Sequence, residues 1–200
     1  MNAIILHGTG CNPESFWQPS IKKFLEDRSY SVWVPQLPDA DKPELKKWLP
    51  FVLENGQFNE QTILIGHSAG GPLILSILEN IKTTIYKAIL VAGFSRQTRY
   101  TPPKGQKIEK QLILQNKYDW SKIKSYVKDI IFINSDNDPW GCNHLEGIHM
   151  WKNLGGTLIL REGEGHMGSD SFKQPYRKFP LLEKLLEIKY TRGVIAGSDR

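Results

Sequence analysis

The run Thr62-Ile63-Leu64-Ile65-Gly66-His67-Ser68-Ala69-Gly70-Gly71-Pro72 constrains this chain more than any other stretch. A strand-like apolar run meets a turn with glycines on either side of Ser68, and a helical apolar pattern comes after it. A strand that reverses into a helix within one residue leaves the turn residue at a strained, positive φ. It also brings strand and helix so close that the residues two to either side must lack a side chain. Gly66 and Gly70 hold those positions. The turn lifts the Ser68 hydroxyl above the sheet, where a base reaches it from one side and a substrate carbonyl from the other. Pro72 suits a first helical turn, and Leu73, Ile74, Ile77, Leu78 and Ile81 fall on one helical face. A Gly-x-Ser-x-Gly pattern also occurs in loops without chemistry. The strand before it and the helix after it mark this one as a nucleophile elbow.

The remaining chain supplies a frame for such a turn. Short apolar runs at residues 3–7, 31–34, 62–65, 88–92, 130–133 and 157–160 predict six strands. Several are apolar on consecutive residues, the mark of parallel strands buried on both faces. Helical patterns alternate with them. The first carries Phe16, Trp17, Ile21, Phe24 and Leu25, with its regular part expected only beyond Pro19; the second starts at Pro43 and carries Leu45, Trp48 and Leu49, with Pro50 expected to kink or end it. A short helix at 120–127 is succeeded by one at 143–154 with Leu145, Ile148, Trp151 and Leu154 inward, and by one from Phe179 to Tyr190 with Leu181, Leu182, Leu185 and Leu186 inward. Residues 94–119 are basic and polar around Pro102-Pro103, with a weak helical pattern in Ile108, Leu112 and Ile113; they read as an excursion over the sheet edge, a small lid. The expectation is one α/β domain over residues 1–190, a doubly wound, mostly parallel six-stranded sheet with helices on both faces. Residues 191–200 carry no usable pattern and read as a flexible tail or an expression remnant.

The net charge of +5 does not signal nucleic acid. The lysines are scattered (Lys22 and Lys23, Lys46 and Lys47, Lys104 to Lys110, Lys122 to Lys128) and form no stripe with interleaved aromatics. Cys11 and Cys142 lack metal-ligand spacing, so neither a metal nor another cofactor is expected, and two separated cysteines fit a reducing compartment. Met1-Asn2-Ala3 leads directly into apolar Ile4-Ile5-Leu6 without the basic segment and long apolar stretch of a secretory signal. No run reaches the ~20 apolar residues of a membrane helix. A cytoplasmic protein acting on a small molecule, with neither nucleic acid nor membrane as partner, is the expectation.

A serine hydroxyl is a weak nucleophile at neutral pH, so Ser68 needs a histidine to take its proton and an acid to hold that histidine's tautomer. In open α/β sheets functional groups lie beyond the carboxyl ends of the strands. Two loops there supply what is missing: Ser135-Asp136-Asn137-Asp138-Pro139-Trp140 and Glu162-Gly163-Glu164-Gly165-His166-Met167. His166, in a glycine-flexed loop, is the expected base, since His144 and His149 fall in a predicted helix. His67 cannot serve its own neighbour and is expected to pack beside the nucleophile, and His7 to bond a loop carbonyl. Asp138, ahead of the rigid Pro139, is favoured as the acid over Asp136, which then caps the loop through backbone N–H groups. An oxyanion hole needs two converging N–H donors. Ala69 supplies one, and Thr9 or Gly10 in His7-Gly8-Thr9-Gly10 the other.

These residues carry a resemblance. The elbow, the opening Ile-Leu-His-Gly, the segment Val34-Pro35-Gln36-Leu37-Pro38-Asp39 with Trp48 after it, and the loops holding Asp138-Pro139 and Gly165-His166 resemble the small serine hydrolases of the retinoblastoma-binding protein 9 type, over nearly the whole chain. The resemblance implies a compact α/β-hydrolase fold with a minimal cap, a triad of Ser68, Asp138 and His166, and esterase or related hydrolase activity. The chain departs from that pattern after Pro139, where Trp140-Gly141-Cys142-Asn143 replaces a common Val-Pro step, which bears on substrate preference.

Ester hydrolysis through an acyl-enzyme is therefore the leading expectation. Amide or peptide cleavage by the same triad is one alternative. The other is a protein-binding module on a hydrolase fold, which joint exposure of Trp17, Trp140 and Trp151 would favour.

Overall fold

The structure, a computed structural model, describes residues 1–98, 100 and 110–189. Six strands, β1 (Asn2–Leu6), β2 (Ser31–Trp33), β3 (Thr62–His67), β4 (Ile85–Val91), β5 (Val127–Ser135) and β6 (Thr157–Arg161), form one sheet in the order β2-β1-β3-β4-β5-β6. Every pairing is parallel. The strands alternate with helices α1 (Gln18–Glu26), α2 (Leu45–Asn55), α3 (Gly70–Asn80), α4 (Trp120–Ser125), α5 (His144–Leu154) and α6 (Pro180–Glu187).

Side-chain alternation along β3 separates the two helical layers. Gly66 faces α3, since a Cβ on it would meet Gly70 O and Ile74 Cδ1, whereas His67, one residue on, meets Phe16 and Trp17 at the start of α1. Trp17 in turn packs edge-on against Phe179 at the start of α6. So α1 and α6 cover one face, and α2, α3, α4 and α5 form a row of successive contacts on the other. β3 and the central part of β4 are buried on both sides, which explains their continuous apolar sequence. The chain runs outward from β1 to β2, then returns to place β3 on the other side of β1. That reversal makes β1 and β3 the topological switch, where an open α/β sheet opens a crevice at its carboxyl edge.

Three local expectations are corrected. Pro50 does not end its helix. It sits exposed inside α2, while Trp48 and Val52 on the opposite side are fully buried and hold both turns to the core. In α5, Leu145 and Trp151 point outward at 52% and 41% exposure; Glu146, Gly147, Met150 and Leu154 face inward. Gly147 sets that register, because a Cβ there would lie 2.5 Å from Asn134 Oδ1 and 2.9 Å from Leu158 Cδ1, and only a glycine permits so close an approach. Residues 110–119 form turns and bends rather than a helix, with Ile113 buried and Leu112 exposed. The remainder of the expected lid, residues 99 and 101–109 with Ile108, lies outside the described residues, as does the segment 190–200. Among the described residues no helix is long and apolar enough to cross a membrane.

Candidate active site

The elbow forms as its glycines require. Ser68 has φ 52°, and its N–H is tied to Val91 O at 2.9 Å across to β4. A Cβ on Gly66 would lie 2.5 Å from Gly70 O, and one on Gly70 would collide with Leu6 O. Strand β1, the turn and α3 are thus in backbone contact. Ser68, Thr9 and His166 line one cavity of about 380 Å³ at the switch point.

His166 Nδ1 lies 2.6 Å from Asp138 Oδ2, with both groups buried. Asp138 Oδ1 accepts the Trp140 N–H at 2.8 Å. With its N–H turned to the carboxylate, His166 leaves Nε2 as an acceptor. No hydrogen bond joins Ser68 Oγ to His166; such contacts commonly close only when substrate arrives. Asp136 does not reach the histidine and instead accepts the Gly163 N–H through Oδ1 at 2.8 Å. That bond holds its carboxyl below the usual range.

The acid and base loops are joined by more than this pair. Ser135 Oγ accepts from Glu164 N–H at 3.0 Å, Asp136 from Gly163, and Asn137 Oδ1 from Gly165 N–H at 2.7 Å. Three consecutive side chains of one loop therefore bind three consecutive amides of the other, and Asp138 takes the next residue's imidazole. Gln174 Oε1 accepts from His166 N–H at 2.9 Å. From the α1 side, Trp17 Nε1–H donates to Met167 O at 3.0 Å. Sequence reasoning missed Asn137, Gln174 and Trp17 in these roles; only the repeated Asp-Asn-Asp run carried a signal for Asn137.

His67 fixes the loop that carries His166 from beneath. Its Nε2–H donates to His166 O at 2.9 Å, and its ring lies 4.9 Å from the His166 ring. Nδ1 has no partner among the described residues, and the side chain is buried. Burial foremost, and then the charge of His166, push its pKa down to about 3. His67 is therefore a neutral strut at ordinary pH. His7 is likewise buried, which lowers its pKa. Its Nε2 accepts the Leu37 N–H at 3.0 Å, so Nδ1 carries the proton and donates to Gly8 O at 2.9 Å. Trp48 packs edge-on against it at 5.7 Å and donates to Pro38 O at 2.7 Å. The proline-rich segment after β2 thus holds the glycine loop after β1.

The amides expected as oxyanion donors differ in their partners. Gly10 gives its N–H to Ala40 O at 2.8 Å and is spent. Thr9 and Ala69 donate their amides to no other group among the described residues. Gly8 must be a glycine, because a Cβ there would come within 2.8 Å of Ser68 Cβ.

Among the described residues one group has metal-ligand composition: Asp138, Cys142 and His166, with donor atoms within 4.8 Å of one another. A tetrahedral zinc ion with nitrogen and oxygen ligands at ~2.0–2.2 Å would hold the imidazole nitrogen and the carboxylate oxygen about 3.3–3.6 Å apart. The 2.6 Å between Asp138 and His166 is the spacing of a short hydrogen bond. Cys11 and Cys142 are both free thiols at the cavity wall.

Residues 3–187 match the family model described as serine hydrolase. The chain belongs to the serine hydrolase family. YdeN of Bacillus subtilis is 29% identical over 137 residues, covering 67% of this hydrolase and 69% of YdeN. Serine hydrolase RBBP9 of Rattus norvegicus is 28% identical over 142 residues, covering 69% and 72%. The crystal structure of the B. subtilis ydeN product superposes with a TM-score of 0.79 over 93% of this chain and 96% of that one, at 24% identity. An esterase domain from Rhodothermus marinus superposes at 0.62 over 92% and 84%, at 13% identity. These likenesses establish an α/β-hydrolase fold.

Proposed function

We propose that this serine hydrolase cleaves carboxylic esters, or similar small acyl bonds, through an acyl-enzyme on Ser68. His166 Nε2 takes the Ser68 proton as Oγ attacks the carbonyl carbon, and the amides of Thr9 and Ala69 receive the negative oxygen. When the carbon–oxygen bond to the leaving group breaks, His166 returns that proton to the departing oxygen. Water then repeats the sequence on the acyl-enzyme and releases the acid. Asp138 keeps the imidazole proton on Nδ1 and stabilises the imidazolium formed in each half-reaction.

The observation that carries this reading is the 2.6 Å bond between Asp138 and His166, the latter on the wall of the cavity into which the strained Ser68 turn opens. An amide would use the same groups and differ only in its leaving group. The binding-module reading draws no support from the tryptophans: Trp17 is fully buried, Trp140 lines the cavity and Trp151 is exposed on α5, so they share no surface.

Covalent labelling by a fluorophosphonate, read by intact mass and peptide mapping, tests the nucleophile without a choice of substrate. A single adduct on Ser68, lost in Ser68→Ala and strongly slowed in His166→Ala, is expected. A folded wild-type protein that stays unlabelled would overturn the reading.

A further inference from the structure

The cavity above Ser68 differs from the rest of the interior in one respect. The core is dominated by Ile and Leu, yet among the described residues lining this cavity none is Val, Leu, Ile or Met. Its large apolar side chains are Phe16, Phe94, Tyr100 and Trp140. Trp140, half-buried, is held by contacts on several sides. Phe172 meets its ring edge-on at 5.2 Å between centroids, and Tyr100 lies tilted against it at 5.3 Å. Its Nε1–H points to Ser169 Oγ at 3.4 Å, and its backbone N–H is bound to Asp138. A ring fixed in this way has little freedom left to lose when a ligand packs against it.

The position of Trp140 also indicates which part of a substrate it meets. Its ring centroid is 6.5 Å from that of His166. In the proposed reaction His166 hands its proton to the departing oxygen, so the substituent on that oxygen passes beside the imidazole, on the part of the cavity wall that Trp140 lines. Aromatic groups gain from edge-to-face and offset contacts with such a wall beyond the area they bury.

We propose that Trp140, with Tyr100, forms an aromatic wall for the leaving group, and that the enzyme prefers esters of arylmethyl alcohols to those of short alkanols. This presupposes Ser68 as the nucleophile. The segment after Pro139 is then a determinant of specificity set directly against the triad.

The test compares kcat/KM for benzyl acetate and ethyl acetate, whose alcohols differ little in acidity, in wild type, Trp140→Val and Trp140→Phe. Ethyl phenylacetate serves as the control with the ring on the acyl side. Wild type should favour benzyl acetate over ethyl acetate by about tenfold or more. Trp140→Val should bring that ratio near one, and Trp140→Phe should keep most of it. The ratio of ethyl phenylacetate to ethyl acetate should move by less than about threefold, as expected of contacts on the far side of the scissile bond. A benzyl preference that survives Trp140→Val, a loss that falls on the phenylacetyl ester instead, or a wild type without aryl preference would overturn the aromatic wall. Fluorophosphonate labelling of the same samples separates the two levels. Labelled Ser68 with no aryl preference removes only the wall, whereas unlabelled Ser68 removes the hydrolytic reading and the wall with it.

Discussion

Asp136 and Asp138 stand two residues apart on one loop, yet their surroundings give them different work. Asp136 faces a backbone amide, an acceptor's task that a neutral side chain can also perform. Asp138 is buried with its two oxygens divided between Trp140 N–H and His166 Nδ1. An amide there has one oxygen and could keep only one of those two bonds, and in the proposed reaction it would leave the imidazolium without a counter-charge. Asp138→Asn should therefore lower kcat by about 10⁴-fold with the fold intact, the loss seen when a triad carboxylate becomes an amide. Asp136→Asn retains an oxygen for the Gly163 N–H, and the loss of one charge-assisted bond should leave the rate within about threefold. Steady-state hydrolysis of an activated ester by both variants, alongside circular dichroism, checks the pair. A larger loss in Asp136→Asn would reverse the assignment. The distinction was partly legible, because Pro139 marked the rigid end of the turn. The engagement of the Gly10 amide was not, since the Ala40 carbonyl that accepts it lies thirty residues away and obeys no local pattern.

At the level of elements, the inner strands were legible because strands buried on both faces, as β3 is, leave no room for alternation. Their bounds were less so. The apolar run after the elbow reads as starting at Ala88, since a lysine interrupts it, but β4 continues back through Lys87 to Ile85. Lys87 is fully buried; its ammonium donates to Leu185 O and Ile188 O at 2.8 Å each and lies 3.4 Å from Asp129 Oδ2 on β5. A cation at the carboxyl end of α6 answers the helix dipole and the last unpaired carbonyls together. This side chain fastens the closing helix to the middle of the sheet. The register of α5 was illegible for a related reason: Gly147 is chosen by the Asn134 and Leu158 atoms beneath it, not by its own helix. Lys87→Met strands a buried carboxylate and should cost about 3–5 kcal/mol. In urea unfolding, Lys87→Met/Asp129→Asn should be more stable than Lys87→Met alone, because the second change removes the stranded charge. A double variant less stable than the single one would show that the pair does not act as a unit.

Over the whole molecule, the site and the helical layers meet at His67. It ends β3, touches Phe16 and Trp17 from the α1 face, and carries the His166 carbonyl on its Nε2–H, so core packing and the catalytic loop share one buried imidazole. A proton on its Nδ1 would have no acceptor, and acid stability suffers for it. With its pKa pushed down to about 3 in the fold and near ~6.5 in the unfolded chain, His67 binds a proton in the unfolded state alone between those values. The unfolded chain thus holds the extra proton, stability rises with pH across that window, and it is lost as pH falls, by up to ~1.4 kcal/mol per pH unit for one group. His7, also lowered by burial, adds a contribution of the same sign. His67→Gln keeps an N–H donor for the His166 carbonyl and removes the titration. Urea unfolding between pH 7 and pH 4 should show wild type losing stability steeply and the variant losing it with a distinctly shallower slope, so that the variant gains on wild type as the pH falls. Parallel slopes would mean that the acid lability of the protein arises from its carboxylates and not from the histidine on which the catalytic loop rests.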